Sequence, residues 1–152
     1  MQKPIEELIL DNIKSAVSGI STAAGYSFDV LRVEDVTEPF NTPEHQKAIV
    51  AAEDYVVVGR ADHTETREQA FAVCAYWLGE PHADPPINRR LMRMGADIIQ
   101  CLRADYQRGG LAVSTENAGA EMFPDAIVQR VVVTYDVDPN DPRLTVQEAE
   151  AE

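Results

Sequence analysis

The chain has 152 residues, 45% of them hydrophobic, which suits one domain with a core of ordinary size. Its 26 acidic residues against 13 basic ones give a net charge of -13, which disfavours nucleic-acid binding as the main task, although a low pI by itself identifies no partner. No apolar stretch approaches the roughly 20 residues that span a bilayer. With neither a membrane span nor a secretory leader, we expect a cytosolic protein in which Cys74 and Cys101 are free, buried thiols.

An amphipathic pattern opens the chain and predicts a helix over residues 4–17. Pro4 suits the first turn, where its missing N–H is harmless, and the two acids that follow lie where the helix dipole favours negative charge. Apolar residues recur at helical spacing, with Asn12 as the only polar residue on the stripe. Gly19 and Gly25 then predict the end of the helix.

The next segments favour strands and loops. β-Branched and aromatic residues predict a strand over residues 26–36, and two prolines predict a loop over residues 37–43. Residues 47–52 and 55–59 are short apolar runs. They predict one interrupted strand or two short strands, with a helical turn in the first run as the alternative. The polar residues 62–68 predict a loop tip.

The second half of the chain gives clearer patterns. Residues 69–78 are apolar on both faces, which predicts a strand in the centre of the sheet. A proline-rich break precedes a helix predicted over residues 86–106, and two glycines end it. Strands are predicted over residues 111–122 and 126–137, with a turn at Pro124-Asp125 between them.

These elements predict a single α+β domain over residues 1–137, with two main helices on one side of a mostly antiparallel, mixed sheet. Short turns favour antiparallel neighbours, and only the long crossover through the second helix permits a parallel pair. Asp138-Pro139-Asn140-Asp141-Pro142 cannot continue a sheet, and the last fifteen residues carry five acids and one arginine. We therefore expect residues 138–152 to form a solvated, flexible acidic tail.

A search for catalytic or metal-binding patterns predicts no active site. His45, His63 and His82 all lie in polar or proline-rich segments. Asp62-His63-Thr64-Glu65 places one imidazole near two carboxylates, but a zinc site needs three or four converging ligands, so we expect a solvated acidic loop. The chain has no Gly-x-Ser-x-Gly, phosphate-binding Gly-rich loop, His-Glu-x-x-His or Cys-x-x-Cys motif. We therefore expect no catalytic residue, no metal and no cofactor.

Charge is distributed unevenly along the chain. Five basic residues fall between Pro86 and Arg108, in the second predicted helix and just beyond it: Arg89, Arg90, Arg93, Arg103 and Arg108. An acidic group lies elsewhere and comprises Glu53, Asp54, Asp62, Glu65 and Glu68. One interpretation is an ordinary helix surface whose C-terminal arginines complement the dipole. The other is two complementary patches for head-to-tail contact between identical subunits. On that interpretation the candidate subunit or partner contacts are Arg89, Arg90, Arg93, Glu53, Asp54, Asp62 and Glu65.

Segments that carry a family resemblance run over most of the chain. They are the opening helix Ile5-Glu6-Glu7-Leu8-Ile9-Leu10 with its exit through Ala24-Gly25-Tyr26, strands over residues 28–36 and 69–78, the helix over residues 88–106, and the closing strand that ends in Val131-Val132-Val133-Thr134-Tyr135-Asp136-Val137. In this order they resemble the tail terminator proteins of long-tailed bacteriophages, which cap the tail tube and join it to the head. These patterns are diffuse, and no functional residue is carried over from the family.

The resemblance implies a structural virion protein at the head–tail junction, or neck, made in the cytoplasm of the host bacterium. It implies a sheet flanked by helices, a homo-hexameric ring and no catalysis. Its implied partners are further copies of itself, the tail tube protein and the head–tail connector. Membranes and sequence-specific nucleic-acid contacts are not implied, although the ring leaves room for DNA to pass through.

Two alternatives stay open at this point. Another neck or tail-completion adaptor would share the virion location, and the position of the protein on the particle distinguishes the two. A small cytosolic enzyme or ligand-binding domain belongs to a different class, and would need a pocket with convergent polar groups.

Overall fold

The computed structural model describes residues 3–35, 43–79 and 84–143. They form one compact domain with two helices and a five-stranded mixed sheet, which confirms the predicted α+β class. In space the strands follow the order β1-β2-β3-β5-β4. The elements are α1 (Ile5–Ser18), β1 (Arg32–Asp35), β2 (Lys47–Ala61), β3 (Thr64–Tyr76), α2 (Ile87–Ala104), β4 (Ser114–Phe123) and β5 (Ala126–Val137).

Helix α1 follows the prediction closely. The carbonyl of Pro4 accepts hydrogen bonds from the backbone N–H groups of Glu7 and Leu8 at 3.0 and 3.1 Å, and Gly19 follows the last helical residue. Four apolar residues at helical spacing form the buried stripe of α1: Ile5, Ile9, Ile13 and Val17.

Helix α2 packs on β4 and β5 and also contacts α1. Its buried stripe contains Gly95, where an added Cβ would lie 2.7 Å from Cδ1 of Ile127 on β5. The small residue therefore lets the helix approach the sheet closely. Because α1 contacts β1 and β2 while α2 covers β4 and β5, the two helices lie side by side on one face of the sheet, as predicted.

The first predicted strand is much shorter than expected. Among the described residues of this segment, the strand covers only Arg32–Asp35, and residues 26–31 are irregular although Phe28 is buried. Local polar contacts compete with strand pairing there: Asp29 accepts from the backbone N–H of Thr22 at 2.7 Å, and Asp97 accepts from that of Ser27 at 2.9 Å. The predicted loop over residues 37–43 lies outside the described residues except for Pro43.

Strands β2 and β3 form a long hairpin, and here the prediction of a loop over residues 62–68 was wrong. Only Asp62 and His63 form the turn, and Thr64 already pairs with Ala61. The two apolar runs belong to one continuous strand, whose register shifts between Ala52 and Tyr55 and again between Val57 and Gly59. Residues 62–68 are polar, and in the sequence such a run looks like a loop. In a strand, however, successive side chains point to opposite faces, so polar residues can alternate along β3 as well.

The expectation that only the crossover through the second helix permits a parallel pair was also wrong. Strand β5 inserts between β3 and β4, so the crossover through α2 joins two strands that are not neighbours. Parallel pairing within the described residues occurs instead between β1 and β2, from Arg32 opposite Lys47 to Asp35 opposite Val50. The central position predicted for the third strand is confirmed, because β3 lies between β2 and β5.

Beyond β5 the described chain continues to Arg143 and returns to the start of α1. The backbone N–H of Ile5 donates to the carbonyl of Pro142 at 3.0 Å, and Asp138 forms a bridge with Asp141. The rest of the predicted acidic tail, residues 144–152, lies outside the described residues.

Candidate assembly surfaces

The predicted basic group on α2 is divided by the structure. Arg89 and Arg93 are exposed near the start of the helix, where Met92 is 56% exposed between them. Arg90 turns inward instead: its guanidinium lies 4.5 Å from the centre of the Trp77 ring, and its Nη1 donates to the carbonyl of Ser27 at 3.1 Å. Arg90 therefore attaches α2 to the end of β3 by a cation–π contact with Trp77, and to the segment before β1 by its hydrogen bond to Ser27.

The two later arginines of this group serve the fold in different ways. Arg103 is exposed and lies 3.7 Å from the carboxylate of Glu116 on β4. Arg108 is fully buried and donates to the carbonyls of Leu102 and Asp105, so it caps the C-terminal end of α2. Burial lowers the pKa of Arg108. At the start of α2 the surface patch thus reduces to Arg89 and Arg93, which we call the basic pair.

The predicted acidic group lies on the β2–β3 hairpin, but its members differ in exposure. Asp54 and Asp62 are exposed, at the first bulge of β2 and at the hairpin turn. Glu53 is also exposed and lies 3.0 Å from Nε of Arg130 on β5.

Glu65, by contrast, is buried, and its carboxylate accepts from Nε of Arg67 at 2.7 Å. It is therefore an internal partner and not a surface contact, which corrects its prediction as part of a contact patch. The basic pair lies on α2, which packs against β4 and β5, whereas the remaining acids lie on the hairpin formed by β2 and β3.

The outer edge of β2 is a surface that the sequence reasoning did not identify. Strand β1 pairs only with residues 47–50 of β2, and no described strand pairs with the outer side of residues 51–61. We call residues 51–61 the β2 edge. Its apolar side chains are open to solvent, with exposures of 39% at Tyr55, 59% at Val56, 37% at Val57 and 51% at Val58. An edge of this kind presents backbone donors and acceptors to another chain.

A buried polar network supports the β2 edge from the helix side of the sheet. The guanidinium of Arg67 lies 4.0 Å from the centre of the Tyr55 ring. Next to it, the hydroxyl of Tyr135 donates to Oε1 of Gln69 at 2.6 Å, and Nε2 of Gln69 donates to the carbonyl of Glu53 at 2.8 Å. Burial raises the pKa of Tyr135 to about 12, so its hydroxyl stays protonated at neutral pH. Nε2 of Gln69 also donates to Oε2 of Glu6 on α1 at 3.1 Å, so the network ties the hairpin to β5 and to that helix.

The sheet face turned away from the helices is a second open surface. Alternation along β3 and β5 places Ala70, Cys74, Val128 and Val132 on this face, where all four are half-buried. Near its end lies an apolar cavity of about 360 Å³, whose lining includes Cys74, Tyr76 and Phe123. Burial raises the pKa of the Cys74 thiol, which therefore stays protonated at neutral pH.

The histidines do not converge. His45 accepts a hydrogen bond at Nδ1 from the backbone N–H of Leu78 at 3.0 Å and packs against Trp77, whereas His63 lies in the hairpin turn. His82 lies outside the described residues. Among residues 3–35, 43–79 and 84–143, no three His, Cys, Asp or Glu side chains are grouped to hold a metal ion. In the same part of the chain, no helix has the length and apolar character needed to cross a membrane.

Comparisons with known proteins give this chain no family. No protein-family model matches it, and a search of curated proteins found no match.

Proposed function

We propose that this protein is a tail terminator of a long-tailed bacteriophage. It acts by assembly and not by catalysis: six copies form a ring that caps the tail tube, and the opposite side of the ring binds the head–tail connector. In the finished virion the ring lies at the neck and surrounds the path of the DNA.

The observation that carries the proposal is the amount of apolar strand surface that the folded domain leaves open. Residues 55–58 of the β2 edge are 37–59% exposed, and the sheet face away from the helices carries half-buried apolar side chains. Monomeric proteins normally cover or charge such edges and patches. Subunits of a ring bury them against each other.

Charge provides the second support. The basic pair on α2 and the exposed acids Glu53, Asp54 and Asp62 lie on different elements of the fold. Opposite charges on separate surfaces of one subunit suit a heterologous contact, in which the basic pair of one copy meets the acids of its neighbour. Such contacts close into a ring when the rotation between neighbours permits it. The order of helices and strands, which resembles that of tail terminators, is the third support.

A charge reversal tests the ring. Arg93→Glu places a negative charge on the basic pair, and Arg103→Glu makes the same change on the same helix about three turns away. We expect Arg93→Glu to lower the fraction of protein in rings, measured by native mass spectrometry with tail-tube protein present, while its thermal unfolding stays near that of the wild type. Arg103→Glu should assemble normally. Raising the salt to 1 M, where the Debye length is roughly 3 Å, should weaken wild-type rings in the same direction.

Two results would reject the proposal. A chain that stays monomeric in the presence of both tail-tube and connector proteins is not a terminator. A chain that labels elsewhere on the particle than the top of the tube is a different neck or tail-completion adaptor.

A ligand-binding domain is the second candidate, and the cavity lined by Cys74, Tyr76 and Phe123 favours it. At about 360 Å³ the cavity lies within the range of roughly 300–1,000 Å³ that is typical of small-molecule sites. Tyr76→Trp would fill this space. If ring assembly survives that change while binding of a small apolar compound is lost in a thermal-shift screen, the ligand-binding function is correct.

A further inference from the structure

We infer that His45 forms an acid-sensitive contact between the turn before β2 and the end of β3. With an unprotonated ring, His45 holds the backbone of Leu78, two residues beyond β3. Uptake of a proton by the ring releases it. The inference goes beyond the proposed ring, since it concerns how a single subunit responds to pH and involves no assembly partner.

The hydrogen bond to His45 fixes the protonation state of its ring. Nδ1 of His45 lies 3.0 Å from the backbone nitrogen of Leu78. That nitrogen always carries its hydrogen and can only donate, so Nδ1 must accept and must be free of a proton. A protonated imidazole has an N–H group at both ring nitrogens. Protonation of His45 therefore removes this hydrogen bond and leaves two donors facing each other.

The ring of His45 also lies against an indole that already binds a cation. The ring centres of His45 and Trp77 are 4.5 Å apart, with the ring planes at 66°. The guanidinium of Arg90 on α2 lies 4.5 Å from the centre of the same indole. A proton on His45 brings a second positive charge to this site, and like charges at short distance disfavour each other. Acid therefore acts on the contact in two ways, through the lost hydrogen bond and through charge.

Two acids complete the charged surroundings of this contact. Glu44 precedes His45 in the chain and lies 3.3 Å from Nη1 of Arg32 on β1. Asp125, in the turn between β4 and β5, accepts from the backbone N–H of Trp77 at 2.9 Å through its own backbone carbonyl. A proton on His45 therefore arrives beside a carboxylate, that of Glu44, which Arg32 already pairs.

The turn that carries His45 is held by backbone groups, so the release is local. Gln46 has a left-handed backbone conformation, with φ at 58°. Its N–H donates to the carbonyl of Tyr76 at 3.0 Å, and its carbonyl accepts from the N–H of Leu31 at 3.0 Å. Neither bond involves a group that takes up a proton near neutral pH. Acid therefore frees Leu78 while the turn and the sheet stay in place.

Trp77 is a built-in reporter of this release, because it is the one tryptophan of the chain. Gly79, the residue after Leu78, packs closely on its ring: an added Cβ there would lie 2.5 Å from Nε1 of Trp77. A movement of Leu78 and Gly79 therefore changes the surroundings of the indole nitrogen, and with them the fluorescence of Trp77.

A pH titration of Trp77 fluorescence in the full chain tests the contact. We expect the wild-type emission to change in one step between about pH 7.5 and pH 5, the range in which an unperturbed imidazole takes up a proton. H45N keeps an acceptor, Oδ1, close to the position of Nδ1 but binds no proton, so the step should disappear. H63N and H82N change the other two histidines and should titrate like the wild type. A step that persists in H45N, or that disappears in H63N or H82N, would overturn the inference.

Hydrogen exchange at the Leu78 amide tests the bond itself. After correction for intrinsic rates, its protection in the wild type should fall about fivefold from pH 7.5 to pH 5, as expected for the loss of one hydrogen bond of ordinary strength. In H45N the protection should be the same at both pH values, and in H45A it should be low at both. The amide of Gln46, which donates to Tyr76, is the internal control and should keep its protection.

Two exchange results would reject the acid-sensitive contact. One is a Leu78 amide whose protection in the wild type does not depend on pH, and the other is an equal loss at Leu78 and Gln46, which would assign the change to opening of the whole sheet end. Since these measurements use the chain alone, they are independent of ring formation on the tail tube.

Discussion

The two halves of β2 belong to one strand but lie in different surroundings. Residues 47–50 are paired on both sides and buried, whereas residues 55–58 are paired on one side and exposed. Apolar content does not distinguish them, since Ala48-Ile49-Val50 and Val56-Val57-Val58 are similar sequences. The difference arises from the neighbours, because β1 pairs with the first half whereas no described strand pairs with the outer side of the second. We conclude that the first half is part of the core, whereas residues 55–58 are open to solvent.

The largest expected effect comes from the covered part of the sheet. Phe71 on β3 is fully buried opposite Ala52, so Phe71→Ala removes apolar contacts and leaves a cavity. We expect a loss of about 3–5 kcal/mol in the free energy of unfolding, measured by urea denaturation followed by circular dichroism. Val58→Ala on the exposed half of β2 is the comparison variant. We expect it to lower the free energy of unfolding by about 0.5 kcal/mol or less, as is usual for surface substitutions. Similar losses for both variants would contradict the division between the covered and the open parts of the sheet.

A smaller loss is expected from the network behind the β2 edge. Arg67→Met leaves the buried carboxylate of Glu65 without its 2.7 Å partner, and only the exposed Arg60 then remains near it, at 3.8 Å. We expect a loss of about 2 kcal/mol in the free energy of unfolding. Adding Glu65→Gln removes that charge, so the double variant should recover much of the stability. Urea denaturation at neutral pH measures both. A double variant no more stable than Arg67→Met would show that the ion pair does not stabilise the hairpin.

The smallest effect concerns the strand that covers the first half of β2. A hydrogen bond from Nζ of Lys47, 2.9 Å away, lowers the pKa of Glu34 on β1 below its usual 4.5, and the charge of Arg32 acts in the same direction. A lowered carboxyl pKa stabilises the fold at neutral pH, and this contribution is lost as the pH falls below about 4.5.

Hydrogen exchange of the β1 amides is the suitable measurement for this contact. Between pH 7 and pH 3, after correction for intrinsic exchange rates, the amides of residues 32–35 should lose more protection in the wild type than in Glu34→Gln. Glu7→Gln, a change of an exposed acid on α1, should behave like the wild type. An equal loss of protection in all three proteins would assign the acid sensitivity to other carboxyls.

The sequence predicted the elements whose pattern is local. Apolar residues recur at helical spacing on the buried stripes of α1 and α2, and at strand spacing along β5. Strand β5 also has the predicted bounds of residues 126–137. The loop prediction failed for residues 64–68, which belong to strand β3 and place polar residues on its buried face. Glu65 and Arg67 are buried there because each neutralises the other across two residues, a compensation that composition does not reveal.

The assembly surfaces were harder to predict for a different reason. The charges of Arg89 and Arg90 are adjacent and identical in the sequence, yet only the structure shows that Trp77 holds Arg90 against the fold. The apolar run of residues 55–58 was visible in the sequence, but its exposure depends on which elements pack beside it. Such properties follow from contacts between distant segments, which no local pattern encodes.

Native mass spectrometry of the full chain, mixed with a tail-tube protein, tests the central claim most directly. We predict that complexes with six copies of the chain appear on tube rings, and that Arg93→Glu reduces them while Arg103→Glu does not. A chain that passes through the same mixture as a monomer, or binds the tube in single copies unaffected by either change, would contradict the account.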